Sequence, residues 1–155
     1  MTDEAKKNFT MRITQANKSG LIVILYEMYL TYLEDAFAAE DNRMEFREAI
    51  RKARGCISEL MNSLDFDYEI SYQLLRLYVY VNKQMAAADV RGRDEPLVEC
   101  RNIMSRLMEA YREISKGDVS GPVMEHAQTV YAGLTYGKGK LTESLVHDGN
   151  RGFLV

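Results

Sequence analysis

The residues that could do chemistry are few, and their spacing assembles no reaction centre. His126 and His147 stand 21 positions apart with no CxxC, HExxH or ExxH spacing around them, so no metal-ligand set is predicted. Cys56 and Cys100 fall in separate apolar helical stretches, which suits reduced, buried thiols of a cytosolic protein better than a secreted disulfide framework. The neighbouring carboxylates Glu34 with Asp35, and Asp65 with Asp67, flank predicted helix ends and read as solvated or capping groups. Tyr136 to Lys140, YGKGK, loosely resembles a phosphate loop, but a preceding strand, the flanking spacing and a following Ser or Thr are missing. A nucleophile, base or metal set in mutual reach is therefore not predicted, and the chain reads as a protein that is not an enzyme and uses no cofactor.

The elements that would position any site are helices. Four segments with apolar spacing near 3.6 follow one another, divided by short polar or glycine-containing breaks, and predict an all-α antiparallel four-helix bundle. The first runs from about Ser19, a plausible N-cap, to about Glu40. The second, about Asn42 to Leu64, has the stripe Phe46, Ala49, Ile50, Ala53, Ile57, Leu60, Met61, Leu64, with Arg47, Glu48, Arg51 and Arg54 opposite. The third, about Tyr68 to Val90, ends at Gly92. The fourth starts at Asp94 with Pro96 in its first turn, carries Leu97, Cys100, Met104, Leu107, Tyr111 and Ile114, and closes at Gly117. The domain reading is an N-terminal arm over 1–18, a four-helix domain over 19–116, and a partly flexible tail over 117–155. Residues 116–155 hold eight Gly or Pro residues and no sustained helical period.

Composition narrows the partners. A net charge of -3, with Lys and Arg interspersed among Asp and Glu, leaves no basic stripe for phosphates, so nucleic acid is excluded. MTDEAKKNFTMRITQ has no apolar run after its positive charges and does not read as a signal peptide. The longest apolar run, Leu21 to Leu33, is interrupted by Glu27 and Thr31 and falls short of the roughly 20 residues of a membrane span. A cytoplasmic protein without membrane insertion is expected.

Two helices are more apolar than one core requires. The first has Leu21 to Leu25, Met28, Tyr29, Leu30, Tyr32, Leu33, Ala36 and Phe37. On the third, Ile70, Leu74, Leu77, Val81 and Met85 read as the core stripe. A second stripe of Tyr68, Tyr72, Leu75 and Val79, joined by Tyr78 and Tyr80, is surplus. Surplus surface is covered either by the chain's own arm or tail, or by a partner's amphipathic helices. Nine methionines and ten tyrosines suit an adaptable apolar surface, although the same residues at helical spacing also make ordinary core.

Several segments are similar to the flagellar export chaperone FliS family. LIVILYE, Leu21 to Glu27, is similar to that family's apolar-LYD or LYE signature; KARGCISELMNSLDF, Lys52 to Phe66, resembles its KAQ, paired-aliphatic, EL and SLD pattern; LLRLYVYV, Leu74 to Val81, resembles its LYxY. The likeness spans about residues 9 to 115. This chain departs from the pattern at Asn17 to Ser19, at Met28 where a Gly is usual, at Tyr111 where a Trp is common, and in its longer tail. The resemblance implies a cytosolic chaperone that binds the disordered C-terminal segment of flagellin, prevents premature polymerisation and delivers it to a component of the flagellar export gate. The expected groove comprises Leu21, Leu25 and Tyr29 of the first helix with Tyr68, Tyr72, Leu75, Tyr78 and Val79 of the third. Phe9, Met11 and Ile13 would form a movable arm over it. The competing expectation is a homodimer that buries the same surface with no client. Val130, Tyr131, Leu134, Tyr136, Leu141 and Leu145 of the tail either occupy the groove in the empty protein or are scattered apolar residues of an appendage.

Overall fold

The computed structural model of the chain describes residues 1–124. Among these residues there are five α-helices and no strand: α1 (Asp3–Gln15), α2 (Lys18–Ala38), α3 (Arg43–Asn62), α4 (Glu69–Arg91) and α5 (Glu95–Lys116). No helix is long and apolar enough to cross a membrane. The assignments made to residues 125–155, including the flexible tail, both histidines and YGKGK, lie outside the described residues.

The expected N-terminal arm is a helix. Its start is locally encoded: the Thr2 hydroxyl accepts the Ala5 N–H at 3.1 Å, Asp3 and Glu4 occupy the first turn, and Arg12 the last. These signals are polar, so a search for apolar stripes passes over them. The next boundary also moves. Asn17, not Ser19, caps α2, accepting the Gly20 N–H at 2.9 Å. Asn42 caps α3 through the Glu45 N–H at 3.2 Å. Gly92 ends α4 at φ 65°, a left-handed conformation in which a side chain would also collide with Arg43.

α2 packs on α3 and α5, and α4 packs on the same two helices, while α1 lies against α2. Arg47 reaches Asp89 at 3.1 Å and Arg54 reaches Asn82 at 2.8 Å, so numbers rise along α3 as they fall along α4. Arg101 to Glu34 at 3.2 Å and Arg112 to Glu27 at 3.1 Å give α2 and α5 the same opposed directions.

The core is unusually rich in tyrosine. Tyr26, Tyr29 and Tyr78 are fully buried beside Leu33, Phe46, Ile57 and Met85. A buried phenol destabilises the fold unless its hydroxyl is paired. Here the Tyr26 and Tyr78 hydroxyls bond each other, and Tyr29 donates to the Met85 sulfur at 3.3 Å. Burial raises the pKa of all three phenols far above their ordinary range, so each stays a neutral donor.

The core stripe of α4 differs from the expected one. Ser71, Leu74, Tyr78, Val81, Met85 and Ala88 point inward, alternating steps of three and four, while Ile70 and Leu77 are exposed. Ser71 can occupy a core position because its hydroxyl donates to the Asp65 carbonyl at 2.5 Å. Centring the stripe on Ser71 rotates Tyr78 into the core and Ile70 out of it.

α5 ends at Lys116, and residues 117–124 form a strap folded back on the corner between α1 and α2. Asn17 Nδ2 donates to the carbonyls of Asp118 at 3.2 Å and Ser120 at 3.3 Å. The Ser19 hydroxyl bonds the Asp118 carboxylate, the Val123 N–H donates to the Ala16 carbonyl at 3.0 Å, and Met124 is buried. Hydrogen bonds from the Ser120 and Ser19 hydroxyls hold the Asp118 carboxyl well below the usual carboxylate range.

Candidate partner-binding surface

The eight residues expected to line one groove separate into three groups. Leu21, Tyr29 and Tyr78 are core residues, so they form no open surface. For Tyr29 and Tyr78 the cause is the hydroxyl pairing just described, which makes a tyrosine as suitable inside as a leucine. Leu25 and Leu75 are half-buried against the core. Tyr68, Tyr72 and Val79 are exposed, at 64%, 53% and 39%.

The exposed set lies on one side of α4. Steps of four, three and four residues relate Tyr68, Tyr72, Leu75 and Val79, so a single helical face carries them. Phe66, in the turn before α4, extends this face: its ring lies 5.1 Å from that of Tyr72 and is 42% exposed. Phe66 was not among the expected site residues, although it ends the SLDF segment; a lone aromatic in a turn has no periodicity to mark it. A second exposed apolar flank of α4 carries Ile70, Leu77 and Tyr80, the last donating from its hydroxyl to Glu99 at 2.6 Å.

The three residues expected on a movable arm lie on α1. Phe9 and Ile13 are half-buried, Ile13 packing against the core, and Met11 is exposed. The helix is pinned to α2 by charge: Arg12 bonds Glu27 at 2.5 Å, and Arg112 of α5 bonds the other oxygen of Glu27 at 3.1 Å. Burial pushes the Glu27 pKa up, but the two guanidinium groups outweigh it and hold this carboxyl below its ordinary value. Glu27 thus joins α1, α2 and α5.

Nothing in the described residues assembles a reaction centre. No group of three or more His, Cys, Asp or Glu could hold a metal among them. Cys56 and Cys100 are buried free thiols, and burial pushes their pKa values up to about 12 and about 11, far from the thiolate form that reacts.

No curated protein matches the chain. Residues 1–118, which contain all five helices, match the family described as Flagellar protein FliS. With more than half of its length covered by that match, the chain belongs to the FliS family of flagellar export chaperones, which is not a family of enzymes.

Proposed function

We propose that this chaperone binds the C-terminal segment of flagellin on the outer face of α4, keeps the subunit from polymerising prematurely in the bacterial cytosol, and delivers it to the export gate. The opposed pairings of α3 with α4 and of α2 with α5 support reading α2 to α5 as an antiparallel four-helix bundle that presents this face. The observation that carries the reading is the exposed run of Phe66, Tyr68, Tyr72 and Val79 beside half-buried Leu75. An amphipathic helix laid along α4 would remove that run from water.

The binding of a disordered segment also suits release. Ordering such a segment costs about 2–5 kcal/mol or more of the gross interaction energy, so a large apolar contact can remain reversible. Tyrosine fits a surface that must be stable both empty and filled, because its ring packs while its hydroxyl stays wet.

Calorimetric titration with a peptide covering about the last 40 residues of flagellin from the same cell tests this. Saturable binding with a large negative heat-capacity change is expected, weakened at least tenfold by Tyr72→Glu or Val79→Glu in folded protein. Absence of binding, with self-association that the same substitutions abolish, would instead make the surface a homodimer interface.

A further inference from the structure

At one end of the molecule α2 and α4 begin while α3 and α5 finish, and their ends leave an open apolar recess of about 250 Å³. Its walls include Ile22, Leu64, Tyr68, Ile70, Leu74 and Ile114. Ile70 and Ile114 are 57% and 58% exposed. An occupant that covers both would remove this remaining apolar area from water, which favours docking.

The strap brings the chain to the rim of this recess. Ser19, which bonds Asp118, and Lys18 beside it both line the recess, and Val123 is held on Ala16 two positions away. The chain therefore leaves the described structure next to an unfilled apolar surface. The residues that follow have matching chemistry: Ala127, Val130, Tyr131 and Leu134 recur at i, i+3, i+4 and i+7, the spacing that would put them on one helical face. The three residues from Met124 to Ala127 span up to roughly 10 Å when extended, ahead of that helical face. The family match ends at residue 118, so this segment is additional to the region shared with the family.

We propose that residues 125–136 dock in cis in the recess between the starts of α2 and α4 and the end of α5, with Val130, Tyr131 and Leu134 covering Ile70 and Ile114. A short tether holds the segment at an effective concentration near the millimolar range, far above that of a second copy of the chain in dilute solution. Tyr68 belongs both to the recess and to the exposed face of α4, so a docked segment excludes a partner from the first turn of α4. That last consequence rests on the proposed client-binding reading; the docking itself does not.

A crosslink in the full-length chain tests the docking. Ile114→Cys with Val130→Cys places one new thiol on the recess and one on the segment, and the native thiols are buried at 5% and 0% exposure and stay silent. Under copper phenanthroline, an intramolecular disulfide is expected to form at least tenfold faster than in the same chain carrying Tyr131→Ser and Leu134→Ser. Equal rates in the two chains would overturn the proposal, as would a product that is mainly crosslinked dimer, which would make a second copy the occupant. Ile114 is exposed and Val130 lies outside the described residues, and a circular-dichroism melt of each variant checks that the fold is kept. No flagellin peptide enters this assay, so failure of the docking and failure of client binding are read separately.

Discussion

α2 and α4 carry the same kind of excess apolar surface, and the fold deals with it in opposite ways. α2 is walled in: α3 and α5 cover two sides, α1 lies against it, and Leu21 to Ile24, Tyr26, Tyr29 and Leu33 are all buried. α4 packs along α3 and α5 and meets α2 only through inward-facing side chains such as Tyr78 and Met85, and Tyr68, Ile70, Tyr72, Leu77, Val79 and Tyr80 remain exposed. Apolar content alone therefore does not mark a binding face. What marks it is apolar content that the chain's own elements leave uncovered.

The sharpest way to break this contrast is truncation of one tyrosine from each helix. Tyr29→Ala should lower unfolding free energy by about 3–5 kcal/mol, because it opens a cavity in a packed core. Tyr72→Ala should stay within about 0.5 kcal/mol of the parent, since its ring is half in water. Urea denaturation measures both; comparable losses would mean that the α4 face is structural after all.

A smaller effect probes how α2 keeps its cover. Asn17 caps α2 and also holds the strap, so Asn17→Ala should cost about 1–2 kcal/mol and loosen α1. Hydrogen exchange should show amides of α1 losing protection while those of α4 do not. Uniform loss across all helices would place the effect in global stability and not in the cover.

The smallest expected effect is electrostatic. Glu27→Gln should destabilise the protein by about 1 kcal/mol at neutral pH by weakening the links to Arg12 and Arg112. The folded-state pKa of Glu27 is lowered, so its contribution is fully present above the unfolded carboxyl value near 4.3 and is lost as pH falls through the folded value. The gap between parent and variant should be constant above about pH 5 and close in more acid solution. A gap that widens on acidification would contradict the assigned direction.

The helices of the core were legible in the sequence where apolar spacing is regular. The stripe of α3 is buried as read from Phe46 to Leu64, except that Met61 is half-buried. Leu97, Cys100 and Met104 of α5 are buried likewise, whereas Ile114 at its end is exposed. α1 was missed because its evidence is a cap and a charge pattern, carried by Thr2, Asp3, Glu4 and Arg12. The register of α4 was misread for one reason: Ile70 looks like core and Ser71 does not, until the Asp65 carbonyl is known to receive the serine hydroxyl. That rotation alone moves Tyr78 from the candidate surface to the interior. For the candidate site, Tyr68, Tyr72, Leu75 and Val79 could be grouped by spacing, but which tyrosines are inside depends on hydroxyl partners 52 or more residues away in the chain, which no local pattern reveals.

The bond from Asn17 to the carbonyl of Asp118 joins residues 101 positions apart, and this has a consequence for synthesis. A ribosome releases the most apolar helix, α2, early, yet its α5 wall and the strap that locks its first turn emerge well after it. At about 5–20 residues per second, the nascent chain carries α2 without its final neighbours for several seconds. A member of a chaperone family thus has, during its own translation, an apolar segment that itself needs protection.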